Sequence, residues 1–280
     1  MLKHSPTLAS WLLSLVILAA FISIWAGLTA QGTSSGTSGM DSEYAALLSS
    51  EPASSGIPGP GLVWETILHH LSDPFYDAGP NDKGLGYQLA FSLARVLIGF
   101  GLAMLVAIPL GFLIGTSPVL SRALDPFIQI MKPISPLAWM PLALYTIKDS
   151  SLSAIFVIFI CSIWPMLVNT AFGVANVRKE WLNVGRTLEV PFFRRVTTII
   201  LPAAAPTILT GMRISIGIAW LVIVAAEMLV GGTGIGYFIW NEWNNLSIVN
   251  VIVAILLIGI VGMVLDQILA GITRLVTFQE

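Results

Sequence analysis

The chain has 280 residues, 56% of them hydrophobic and only 10% charged, with a formal net charge of −2. A water-facing domain carries about 25% charged residues, so this chain has too few to cover a solvated surface, and its mean hydropathy of +0.86 makes lipid its solvent. The acidic balance leaves no basic face for nucleic acid, and the single cysteine, Cys161, cannot form an internal disulfide.

A hydrocarbon core of ~30 Å takes about 20 helical residues to cross. Six apolar runs are long enough: Leu8–Thr29, Leu89–Gly115, Pro126–Ile147, Leu152–Ala175, Thr207–Val230 and Ile248–Gly271. They are too long and alternate too little to be barrel strands. The expected fold is all-α, a polytopic membrane protein of about six transmembrane helices.

The first run follows Lys3 and His4. It exceeds the 7–15 residues of a usual signal-peptide core, which favours an uncleaved helix over residues 1–30. Residues 31–87 form the next section. Its QGTSSGTSG stretch reads as a linker, and Leu62, Val63, Ile67 and Leu71 are spaced as in a short helix lying at the surface. Adjacent His69 and His70 point to different sides of a helix and read as surface histidines, not a metal pair. Residues 88–280 hold the other five spans.

Orientation follows from lysine and arginine. Arg122, Arg178, Lys179, Arg186, Arg194, Arg195 and Arg274 fall on one side of six alternating spans, and only Lys83 and Lys148 on the other. Both termini and the 177–206 connection are therefore expected in the cytoplasm.

Within the third run, Lys132 opens KPISPLAWMP, which carries Pro133, Pro136 and Pro141. Two readings stand. The prolines break the backbone, which is tolerated at membrane depth only against protein or a water-filled cavity and offers helix ends to an ion. Alternatively they make a kink packed against neighbours.

Ionisable residues inside spans are expensive and are functional candidates by default. Arg95 and Glu227 lie at similar depth, so an ion pair is one reading for both. Asp266 falls near the inner end of the last span and reads as interfacial. Lys132 and Arg213 have no carboxylate at their level, although Asp125 can reach the interface near either.

The connection VRKEWLNVGRTLEVPFFRRVTTIILPAAAP is basic, yet Val184, Leu188 and Phe192 share one face of a helical pattern. Pro191 predicts a break, giving two short helices at an angle and a new start at Pro202 or Pro206. On pattern alone, a basic loop that only sets orientation is an equal reading. GGTGIG, residues 231–236, is no dinucleotide fingerprint, since its spacing is wrong and no strand precedes it. It reads as an outer turn beside the interfacial aromatics Tyr237, Phe238, Trp240 and Trp243.

The 177–206 connection resembles the coupling loop of ABC-importer permeases, which reads Glu-Ala-Ala, three residues, Gly, nine residues, Ile, one residue, Leu-Pro. Ile199, Leu201 and Pro202 match its close. Asn183, Val184 and Gly185 stand where that pattern has Glu-Ala-Ala, and Glu189 stands for its glycine. The resemblance runs from about Gln88 to the C-terminus. DPFIQIMKPISPLAWMPLALYTIKDSSLSAIFVIF, WPMLVNTAFGV and TGMRISIGIAWLVIVAAEMLVGGTGIGYFIWNEWN are similar to the nitrate/sulfonate/bicarbonate branch, and within it to nitrate and nitrite import permeases.

The resemblance implies a permease of a bacterial inner membrane, working as a homodimer or a pair of like permeases. It implies two cytoplasmic ATPase subunits, which can be unlike, and an extracytoplasmic substrate-binding protein. Leu188 and Phe192 would make apolar contacts in a groove on the ATPase, with Arg186, Arg194 and Arg195 at the rim. ATP would be bound by those partners, because this chain has no Gly-Lys dipeptide and so no P-loop. No cofactor and no catalytic site are expected in the chain itself.

A small anion crossing the membrane needs compensation for lost hydration. The expected substrate path therefore includes Lys132 and Arg213, with Trp139 and Trp220 in the cavity wall, and Arg95 and Glu227 near its mouth. Bicarbonate, cyanate and organic sulfonates are the alternative cargo. A secondary transporter would show repeated halves and a carboxylate relay. A membrane-embedded enzyme would need a metal or nucleophile cluster that the spans lack.

Overall fold

The computed structural model describes residues 6–30, 57–79 and 82–276, and the linker stretch falls outside them. The chain divides into two compact units, Met1–Asp73 with Glu242–Val253, and Pro74–Asn241 with Ala254–Glu280.

In the first unit, α1 (Pro6–Ala30) exposes Trp11, Leu15 and Phe21 on all sides, as a helix surrounded by lipid does. Trp25 Nε1 donates to the carbonyl of Pro58 at 3.1 Å, just ahead of α2 (Pro60–Ser72). α2 is the expected amphipathic helix. It buries Val63 and exposes Leu62, Trp64, Leu68 and Leu71. His69 is exposed, while His70 Nε2 lies 3.0 Å from Asn250 Oδ1.

The second unit is built on α3 (Leu85–Thr116), α6 (Ser150–Ala175) and α9 (Leu201–Val230). Small residues let their backbones approach closely, since lipid supplies no hydrophobic drive between helices. A Cβ on Gly99 would lie 2.7 Å from Ile158 Cγ2, and one on Gly211 would lie 2.6 Å from Asn169 Cβ. Ser215 Oγ donates to the Ser162 carbonyl at 2.7 Å across α6 and α9. Gly99 meets Ile158 and Gly115 meets Ala171, so α3 and α6 run parallel. Gly173 meets Thr207 while Gly211 meets Pro165, so α9 runs against α6.

Parallel α3 and α6 require residues 117–149 to cross back between them. They do so in two pieces, α4 (Pro118–Met131) and α5 (Pro136–Ile147). α5 has 12 residues, about 18 Å of helix, too short to cross alone. The expected single span Pro126–Ile147 is therefore corrected to a broken one. Ser135 is extended, with ψ 135°, and Pro133 and Pro136 supply no N–H to continue the ladder. Of the two readings of the prolines, the break is the one found. Ser117 caps α4 through the Leu120 amide at 3.3 Å, and Asp149 caps α6 through the Leu152 amide at 2.7 Å.

Between α6 and α9 lie α7 (Lys179–Thr187) and α8 (Phe192–Arg195). The two short helices appear as expected, and the next α-helix starts at Leu201 with Pro202 in its first turn, though the chain stays helical on the way in. A π-turn over Val196–Ile200 joins α8 directly to α9, with the Leu201 amide donating to the carbonyl of Val196. The wider turn carries the helix past Pro202, which has no amide hydrogen to give. α10 (Ile235–Asn244) and α11 (Ile248–Val276) complete the fold. α11 runs against α9, where Trp220 Nε1 donates to the carbonyl of Ile258 at 2.9 Å. Among the described residues, five helices are long and apolar enough to cross a membrane, and the broken α4–α5 segment makes the sixth crossing.

Candidate functional site

At the basic end of the bundle, α7 closes with paired backbone bonds. The Val190 amide donates to the Gly185 carbonyl and the Glu189 amide to that of Arg186, each at 3.0 Å. This is the Schellman closure, which requires a left-handed residue after the cap. Glu189 fills that place at φ +50°. It occupies the position where the coupling pattern has glycine, and the reason for a glycine there is now visible. Glu189→Gly should raise the chain's stability by about 1 kcal/mol, the cost of a left-handed L-residue. A thermal melt in detergent checks this, and an unchanged or lower midpoint would oppose it.

Gly185 is also fixed by its neighbour. A Cβ there would lie 2.8 Å from Ile199 Cδ1, so the small residue near the pattern's start and the isoleucine near its end form one contact. Behind them Val174, Val177, Ile200, Ala204 and Ile208 are buried together, with Leu182 and Val196 packed on them. This cluster fastens α7 and the π-turn to the ends of α6 and α9.

The opposite face of α7 and α8 is unsatisfied. Leu188 is 69% exposed and Phe193 82%, beside exposed Val184 and Phe192. Asn183, Arg186 and Arg194 are exposed around them. Arg178 lies 5.3 Å over the Trp181 ring and Arg195 5.9 Å over that of Phe192. Apolar side chains held out on a basic loop suit a protein docking surface. Phe193 was missed in the sequence because it falls off the Val184–Leu188–Phe192 stripe; the turn at Pro191 swings it outward.

At the other end, Arg95 and Glu227 do pair, Nη1 to Oε1 at 2.7 Å, with Glu227 only 2% exposed. The pair is part of a larger network. Arg95 also donates to the Thr233 carbonyl at 2.6 Å and to Ser151 Oγ at 2.9 Å. Ser92 Oγ donates to Glu227 at 2.7 Å. The amides of Gly234, Ile235 and Gly236 donate to Gln88 Oε1, Ser92 Oγ and Glu227 Oε2 at 2.6, 2.8 and 3.0 Å. The turn expected at 231–236 is thus tied by side chains from α3 and α9. Gln88 and Ser92 escaped the sequence reading because neutral polar residues near a span's start look interfacial.

Between these ends, the break at residues 132–135 opens onto a cavity of about 260 Å³. Lys132, Ser135, Trp139, Cys161, Trp164 and Pro165 are among its lining. Lys132 is exposed, and no side chain among the described residues pairs with it. Asp125, within reach by sequence, is engaged by Gln129 Nε2 at 2.6 Å.

Arg213 differs from expectation. Its Nη2 lies 2.5 Å from Asp266 Oδ2, and its Nε bonds the other carboxylate oxygen. The antiparallel register of α9 and α11 sets Asp266 level with Arg213, so Asp266 is the partner at its level that depth counting along the sequence did not find. Trp220, expected in a cavity wall, is instead 5% exposed and locked between α9 and α11, with Gly262 making room for its ring. Arg213→Gln should therefore lower abundance by stranding Asp266, and adding Asp266→Asn should restore it. Equal abundance of all three proteins in membranes would contradict the pairing.

Residues 107–277 match the family described as "Binding-protein-dependent transport system inner membrane component". The chain is 47% identical over 226 residues to the nitrate import permease protein of Synechocystis sp., spanning 81% of this chain and 82% of that one. It is 42% identical over 226 residues to the bicarbonate transport system permease protein of the same organism, spanning 79% and 80%. Among solved structures, an inward-facing methionine ABC transporter aligns with TM-score 0.62 at 15% identity, covering 69% of this chain and 96% of that one. That likeness concerns the fold alone.

Proposed function

This chain belongs to the binding-protein-dependent transport system inner membrane components, and we propose that it is the permease through which an ATP-driven importer carries nitrate, and nitrite with it. Two copies would enclose the path. Two ATPase subunits, which can be unlike, would dock at the basic end in the cytoplasm, where both termini also lie. A substrate-binding protein would deliver the anion at the opposite end.

The observation that carries this reading is Lys132, a cation without an internal partner in a cavity at the broken third crossing. An anion that has shed water needs such compensation, and the N-terminal end of the α5 dipole adds to it. Arg213 no longer counts as free charge. Nitrate is preferred over bicarbonate because the higher identity is to a nitrate permease. Bicarbonate remains the second reading for the same path.

Uptake of isotopically labelled nitrate by cells with and without the chain tests the proposal, with nitrite, bicarbonate and sulfonates as competitors. Nitrite should compete and sulfonates should not. Lys132→Gln should cut uptake about tenfold, the loss of one hydrogen bond to a charged group, at unchanged abundance. Full uptake by that variant would remove Lys132 from the path.

A further inference from the structure

We propose that Gln88, Ser92, Arg95 and Glu227 form a latch that holds the outer mouth of the permease shut and releases it once per transport cycle. The proposal rests on the permease reading, and on the 231–236 end facing outward.

The first support is where the bonds go. A helix begins with amides that have no partner in their own helix. At the start of α10 the amides of Gly234, Ile235 and Gly236 are taken by Gln88 and Ser92 of α3 and by Glu227 of α9. Arg95 closes the set by bonding both Glu227 and the Thr233 carbonyl. The start of α10 is thus held by side chains and not by its own backbone. Those side chains can be exchanged for water when the mouth opens.

The second support is a hinge beside the latch. Gly231 and Gly232 have φ +77° and +93°, and a Cβ on Gly232 would meet nothing within 4 Å. The Gly231 amide caps α9 at the Glu227 carbonyl at 3.0 Å, and Gly232 beyond it is the residue with room to turn. The clamped residues are the reverse. A Cβ on Gly234 would lie 2.2 Å from Glu227 Cδ, and one on Gly236 would lie 2.2 Å from the Val224 carbonyl. One open glycine adjoins tightly seated ones.

The third support is the line of transmission. α9 starts at the π-turn fastened to α7 and ends three residues beyond Glu227. A helix is stiff along its axis, and Leu201 to Glu227 spans about 39 Å. Motion of the docking loop therefore reaches the Glu227 carboxylate without any relay of side chains. An ion pair suits a contact that must open, because its charges can be rehydrated, whereas an apolar lock of the same volume would stay shut.

Amide hydrogen exchange on the assembled transporter tests the latch. In the resting complex the peptide covering 231–238 should exchange slowly. Trapping the ATPases closed with a non-hydrolysable ATP analogue should speed it at least tenfold. Glu227→Gln should exchange at the fast rate already at rest, with peptides from the interior of α6 unchanged. If Glu227→Gln fails to accumulate, Gln88→Leu removes the acceptor of the Gly234 amide, with the 3.4 Å bond that Gln88 gives the Lys83 carbonyl, and should give the same selective loosening. Equal exchange in the two states, or loosening that spreads into α6, would overturn the latch. Labelled-nitrate uptake reports separately: its failure beside a state-dependent 231–238 peptide would refute the cargo and leave the latch standing.

Discussion

Leu188→Asp is expected to strip the ATPase subunits from the complex while the permease stays inserted and abundant. Leu188 caps the C-terminal end of α7 and is 69% exposed, so the folded chain loses little contact when it changes. Its burial would come only from a partner, and forcing a carboxylate into that interface costs several kcal/mol if it stays ionised. About 3 kcal/mol already weakens association more than a hundredfold. Phe193→Asp, at 82% exposure, should act the same way. Leu182 is the control, since it packs inward on the Val174–Ile208 cluster; Leu182→Asp should reduce abundance first. Co-purification from membranes reads all three. Intact complexes from Leu188→Asp and Phe193→Asp would refute the docking face.

Arg95→Gln should destabilise the folded chain by about 3–5 kcal/mol, the penalty for removing one partner of a buried ion pair. Glu227 would keep Ser92 and the Gly236 amide but lose its only cation among the described residues. The double variant Arg95→Gln with Glu227→Gln removes both charges and should regain much of that loss. Thermal melts in detergent give the comparison. A double variant no more stable than Arg95→Gln alone would show that the pair is not the source.

The spans were legible because each is an apolar run of the length a membrane demands, and the break was legible because three prolines fall within nine residues, Pro133 to Pro141. Local chemistry of that kind is written in the sequence. Register between distant helices is not. Depth counted from uncertain span ends left Arg213 without a partner, and only the antiparallel seating of α9 on α11 brings Asp266 beside it. In the docking loop, the apolar stripe and the positions of the coupling pattern could be read. The left-handed turn at Glu189 and the π-turn before Pro202 could not, since each depends on how the two short helices pack on one another. Arg95 and Glu227 were visible as charges in apolar runs, but the neutral residues that complete their network gave no such signal.

The most direct test of the permease reading is nitrate accumulation in proteoliposomes that hold the assembled transporter, with its binding protein on one side and ATP on the other. Labelled nitrate should accumulate only when ATP is present, and complexes rebuilt with Leu188→Asp permease should accumulate none. Nitrate entry that proceeds without ATP, following an ion gradient and indifferent to Leu188→Asp, would contradict it.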